Sequence, residues 1–209
     1  VWPNQFKTHA GADWTVLALT NRAGSVAKRI EKADHALSLA DATGKRLAIV
    51  INYEAARTDN FAKWALAHTW DYVILDESHR AKNPTGKTGK FIAKLAAKAD
   101  RRLLLTGTPM PHSPLDIFAQ YRFLDPAIFG RYKTAFMRKY AVMGGYENHE
   151  VLGWRNEDEM IARINAGIRG PGRELTGAIW SLYTEAGFGE RAPTMDMLDR
   201  VIRRHQGEV

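Results

Sequence analysis

Four short runs of leucine and β-branched residues recur along the first half of the chain, at residues 16–19, 47–51, 72–75 and 103–105. Each is apolar throughout rather than alternating, the pattern of a strand enclosed on both faces. Between them the period changes to that of a helix. Val26, Ile30, Ala33, Leu37 and Ala40 fall on one face, with Ser25 placed to cap the start and Gly44 to stop it. Phe61, Ala62, Ala65 and Leu66 mark a shorter helix after the second run. After the third, Phe91, Ile92, Leu95 and Ala99 line one side of a helix, and Lys87, Lys90, Lys94 and Lys98 line another. Alternating strands and helices predict an α/β fold, a parallel sheet flanked by helices.

Past Leu105 the strand signals disappear. Pro109, Pro111 and Pro114 fall close together, a helix is expected over 115–123, and an aromatic-rich amphipathic segment follows at 132–140. Phe118, Tyr121, Phe123, Phe129, Tyr132 and Phe136 are expected to serve packing. GIRGPG at 167–172 combines three glycines with a proline and predicts a boundary. Beyond it, Leu175, Ile179, Leu182 and Ala186 form one helical stripe and Met195, Leu198, Val201 and Ile202 another, so an added C-terminal helical segment is expected over 167–209.

At 209 residues, 45% apolar and 25% charged, the chain has the mix of an ordinary globular domain with a short appendage. No apolar run approaches the roughly 18 residues of a membrane helix, and the start lacks the basic and apolar segments of an export signal. The expectation is a protein kept inside the cell and off the membrane. The absence of cysteine excludes disulfides, thiolate metal sites and cysteine nucleophiles. The net charge of +7 favours polyanionic partners. Residues 80–102 hold eight basic side chains against Asp100 alone, so this stretch equals the charge of the whole chain. Position 1 is valine, so a segment upstream is expected.

YVILDESH at 72–79 delivers Asp76 and Glu77 at the carboxyl end of a strand, where open α/β sheets bind ligands. Adjacent carboxylates repel and lose hydration there unless something positive compensates, and a hydrated Mg²⁺ carrying phosphates is one such group. Two acids that merely cap the next turn are the plainer alternative. RLLLTGTP at 102–109 is a second apolar strand, ending in Thr106, Gly107, Thr108 and Pro109. The glycine permits a tight turn and the hydroxyls can bond back toward the acids.

D-E-x-H on one strand with T-G-T-P on the next resembles motifs II and III of the superfamily 2 helicase-like ATPases. LDESHRAKN followed by LLLTGTPMPHSPLDIFAQYRFLDPAIFG resembles their Swi/Snf branch, including its phage relatives. VINYE at 50–54 and WRNEDEMIARI at 154–164 are similar to further elements of that family. The resemblance implies a RecA-like ATP-binding lobe over 1–166, with 167–209 as a helical appendage unlike the family. It implies ATP and Mg²⁺ as cofactors, with Asp76 holding the metal through water and Glu77 polarising the water that attacks the γ-phosphate. His79 is then the link to Thr106 and Thr108, and Thr106, Gly107 and Thr108 couple nucleotide state to nucleic acid. Hydrolysis would drive translocation on, or remodelling of, double-stranded DNA, in the cytoplasm of a bacterial or phage-infected cell.

Two departures qualify this. The family cradles phosphates in a G-K-[ST] loop upstream of motif II, and nothing before Asp76 supplies one. AKNPTGKT at 81–88 orders Gly86, Lys87 and Thr88 correctly but has Ala81 where the first glycine belongs, and it follows the acids. The residues after 165 are too few for the family's second RecA-like lobe. The expectation is a lobe that starts just after its phosphate loop and is inactive in isolation. Lys87, Lys90, Lys94 and Lys98 form either a DNA-contacting stripe or a solvated face. Arg200, Arg203 and Arg204 sit within residues 173–209, where six acids outnumber five bases, which argues against a DNA-binding helix pair. Two rival readings stay open: a degenerate lobe that only binds DNA or protein, and a metal-dependent nuclease built on Asp76, Glu77 and His79. Ser78 lacks the flanking glycines of a nucleophile elbow, and the other histidines lack metal-ligand spacing.

Overall fold

The computed structural model describes residues 2–10, 12–106, 113–148 and 150–169. They fall into two compact units, one up to His68 and one from Thr69 onward. The helical stripes expected beyond residue 169 lie outside the described residues.

The first unit runs α1 (Trp2–His9), β1 (Trp14–Leu19), α2 (Val26–Thr43), β2 (Arg46–Ile51), α3 (Tyr53–Ala56) and α4 (Asp59–Ala67). β1 and β2 pair in parallel from Trp14↔Arg46 to Leu19↔Ile51, and α2 is the crossover that packs on both. The expected caps are present: the Ser25 hydroxyl accepts the Lys28 N–H at 3.4 Å, and Gly44 ends the helix with φ of 66°. That left-handed conformation costs a glycine nothing. Ala33, Ala36 and Ala40 are the buried face of α2, small enough for close approach to the strands. In VINYE, Asn52 caps α3 by accepting the Ala55 N–H at 2.7 Å. Trp64 of α4 donates its indole N–H to Asp34 of α2 at 2.7 Å.

The second unit contains β3 (Trp70–Asp76), α5 (Lys87–Leu95), β4 (Ala99–Leu105), α6 (Pro114–Leu124), α7 (Pro126–Phe129), α8 (Lys133–Tyr140), β5 (Ala141–Gly144), β6 (Glu150–Trp154) and α9 (Glu157–Arg169). β3 and β4 pair in parallel from Trp70↔Ala99 to Asp76↔Leu105. Leu103 and Leu105 are buried, and each such leucine contributes about 2 kcal/mol by leaving water. α6 packs on β4, and behind it lies an aromatic core of Phe118, Ile128, Phe129, Phe136, Tyr140 and Met160. Phe129 meets Phe136 and Tyr140 edge-on, with ring centroids 5.5 and 5.9 Å apart.

Parallel pairing and helical crossovers match the expected α/β class, as two small parallel sheets. Four details differ. β5 and β6 form an antiparallel hairpin in a region where no strand was expected. α5 stops at Leu95 and a 3₁₀ turn, Ala96–Lys98, leads into β4, so Ala99 belongs to a strand and Lys98 lies off the helix. Tyr132 is exposed rather than packed. β1 and β2 are half-buried over most of their length.

Candidate nucleotide site at the tips of two parallel strands

Because Asp76 and Leu105 are register partners, the residues that follow them emerge side by side. Asp76 is exposed, and its Oδ1 accepts the Glu77 N–H at 3.0 Å. Glu77 has φ 48° and ψ 52°, a left-handed conformation that a residue with a Cβ adopts at a cost of about 1–2 kcal/mol. The chain then tightens into a 3₁₀ turn, Ser78–Ala81, closed by the Arg80 N–H donating to Glu77 O at 2.9 Å. This turn brings His79 back over the strand tips. His79 Nδ1 lies 3.3 Å from Glu77 Oε2 and 3.3 Å from Thr106 Oγ1. With the proton on Nδ1, the ring donates to the carboxylate and the hydroxyl together; with it on Nε2, the Thr106 hydroxyl donates to Nδ1. Asp76, Glu77, His79 and Thr106 thus form one constellation. Gly107 and Thr108 lie outside the described residues.

The loop leaving this turn is held from within. Asn83 Oδ1 accepts the backbone N–H groups of Thr85 and Gly86 at 3.1 Å each, and the Thr85 hydroxyl at 3.0 Å. Amides of this kind would cradle phosphate in a G-K-[ST] loop; here a side chain of the loop itself occupies them. From α6, Arg122 Nη2 donates to Pro84 O at 2.8 Å and to Gly89 O at 3.0 Å, and burial lowers the pKa of its guanidinium from its ordinary value. Gly89 has no room for a side chain, since a Cβ would stand 2.2 Å from Asn83 O.

Residues 1–168 match the family described as SNF2-related domain. The chain belongs to the SNF2-related family. It is 32% identical over 124 residues to the DNA repair and recombination protein RAD54 of Oryza sativa subsp. japonica, covering 56% of this chain and 12% of that protein. Against the ATP-dependent DNA helicase DDM1 of Arabidopsis thaliana it is 41% identical over 88 residues, 41% of this chain and 11% of the relative. Against helicase SWR1 of Cryptococcus neoformans the figures are 37% over 86 residues, 41% and 6%. The chain therefore spans about a tenth of these relatives, or less.

For an SNF2-related chain, the other motif-like segments have plain physical jobs. In WRNEDEMIARI, Arg155 and Asn156 donate to Lys139 O, at 3.2 and 2.9 Å, and Arg155 also donates to Arg138 O, so the pair satisfies carbonyls at the end of α8. Glu159 completes the clasp, accepting from Lys139 Nζ at 2.6 Å and Arg163 Nε at 2.5 Å. Lys87, Lys90 and Lys94 are exposed on α5, and Lys98 is half-buried beyond its end. Among the described residues no three His, Cys, Asp or Glu side chains converge in a metal-binding cluster, and no helix is long and apolar enough to cross a membrane. A metal carried by phosphates needs only one or two protein carboxylates, and exposed Asp76 fits that requirement.

Gln120, Arg122 and the buried bond made by Ser78, a residue the sequence showed only to be no nucleophile, escaped sequence reasoning. Their signal was slight: Gln120 and Arg122 are two polar residues inside an aromatic helix, and Ser78 sits between two more conspicuous neighbours.

Proposed function

We propose that this chain is the first RecA-like lobe of an ATP-dependent DNA translocase or remodeller. The contact of His79 with both Glu77 and Thr106 across neighbouring strand tips is the observation that carries this reading. Asp76 would hold Mg²⁺ through water, and the metal with its nucleotide would supply charge neutralisation of the transferred phosphoryl group. Glu77 would orient and polarise the attacking water. His79 would transmit the state of that carboxylate to Thr106 and on to Gly107 and Thr108, coupling the nucleotide site to DNA. Lys87, Lys90 and Lys94 would meet the phosphate backbone, with Lys98 at the margin. Double-stranded DNA, a second RecA-like lobe and a phosphate loop from elsewhere in the protein complete the proposal, as does the phage-like branch in a bacterial cytoplasm.

The test is ATP hydrolysis by the protein expressed from its complete open reading frame, with and without double-stranded DNA. Hydrolysis stimulated by DNA, and lowered at least about 100-fold by Glu77→Gln, is expected. Activity indifferent to that change would overturn the assignment. With its amides engaged by Asn83, the 81–88 loop is no substitute for an upstream G-K-[ST] loop, and a protein without that upstream loop would follow a second reading, a lobe that binds DNA or protein without hydrolysing nucleotide. DNA binding with no turnover, and no effect of Glu77→Gln on affinity, would select it.

A further inference from the structure

A completely buried hydroxyl lies between the two side chains assigned to hydrolysis. Ser78 has no solvent exposure, and its Oγ donates to Gln120 Oε1 at 2.8 Å. Gln120 is itself buried, and its Nε2 donates to Asp116 O, one turn back on α6, at 3.2 Å. That second bond fixes the amide. Reversed, it would set its oxygen against the Asp116 carbonyl, so Oε1 is committed to Ser78. Ser78 is flanked by Glu77 in its left-handed conformation and by His79 against Thr106. Neither neighbour can move far unless Ser78 moves, and Ser78 is tied to a helix, α6, that packs on β4.

We propose that Gln120 is a positioning residue for Glu77 and His79, acting through Ser78. The inference rests on the hydrolytic reading of Asp76, Glu77 and His79. Its physical basis is asymmetry: removing Gln120 strands the Ser78 hydroxyl where water has no access, whereas removing both partners leaves neither end of that bond stranded. The stranded Ser78 must turn to another acceptor, and the turn from Glu77 to Arg80 loosens with it. The carboxylate and the imidazole then sample orientations that bind nucleotide as before but catalyse poorly. The loss therefore falls on kcat and not on KM.

The experiment compares Gln120→Leu, Ser78→Ala and the double variant in the full-length protein. It measures DNA-stimulated ATP hydrolysis, melting temperature and hydrogen exchange of the Arg80 amide, whose bond to Glu77 O closes the turn. Gln120→Leu is expected to lower kcat about 10-fold with KM for ATP within about 2-fold, and to speed Arg80 exchange about 10-fold. Ser78→Ala/Gln120→Leu should return both to within about 3-fold of the parent, the non-additivity of a direct pair. An unchanged kcat in Gln120→Leu, or a loss that the double variant fails to rescue while its melting temperature recovers, overturns the proposal. If the parent protein shows no hydrolysis, the function reading fails by itself, and Arg80 exchange with the ring-nitrogen shifts of His79 decides the positioning claim. Both unchanged in Gln120→Leu would refute it; both altered and rescued would support it.

Discussion

At the scale of single residues, the segment from Asp76 to Gly89 is specified by groups whose replacement has opposite consequences from those expected of their type. Gly89 lies inside α5, where glycine to alanine ordinarily gains up to about 1 kcal/mol. Here the added carbon would stand 2.2 Å from Asn83 O and 3.1 Å from Pro84 Cα, both backbone atoms. The clash outweighs the propensity, and Gly89→Ala should destabilise by about 1–3 kcal/mol. A thermal melt checks this, and a raised melting temperature would show that the loop yields. Glu77 is the complementary case: a residue held in an unfavourable backbone region, beside a site of proposed chemistry, is where strain is expected to be tolerated.

Among the elements, α9 is joined to α8 by the Glu159 clasp, and that junction is sensitive to acid. The hydrogen bond from Lys139, followed by the interactions with Arg163, lowers the Glu159 carboxyl pKa below its ordinary 4.5. A carboxyl with a lower pKa in the folded state stabilises at pH values above its unfolded pKa, and the contribution disappears as pH falls through the folded value. Glu159→Gln should therefore lower the melting temperature at pH 7, and the gap to the parent should close on acidification below pH about 4. A gap that persists unchanged at pH 3 would assign the loss to packing instead. The elements also differ in how openly they were written. β1 to β4 stood out because they are continuous apolar runs, and α2 because Ser25 and Gly44 punctuate it. The β5–β6 hairpin did not, since Gly144, Gly145 and Gly153 interrupt its alternation and exposed Val142, Val151 and Leu152 have no polar partners in phase. The site divides the same way. Asp76, Glu77, His79 and Thr106 sit at the ends of legible strands, whereas the contacts of Gln120 and Arg122 depend on how α6 lies against them, which periodicity does not encode.

Over the whole molecule, the positive charge of residues 80–102 has a measurable signature. If Lys87, Lys90 and Lys94 neutralise phosphates, changing all three to alanine should weaken DNA binding similarly for unrelated sequences. It should also reduce the slope of log K against log salt by up to about 3. Fluorescence anisotropy across a salt series measures both, and an unchanged slope would return these lysines to the role of a solvated face. The pairing of β3 with β4 imposes a different kind of constraint, on chain length. Each residue of a strand advances it about 3.3 Å and reverses the face its neighbours present. Loss of one amino acid within Ala99–Leu105 would either expose Leu103 and Leu105 or draw Thr106 away from His79 by a full bond-making distance. Natural variation in this protein should accordingly accept substitutions along β4 far more readily than gaps.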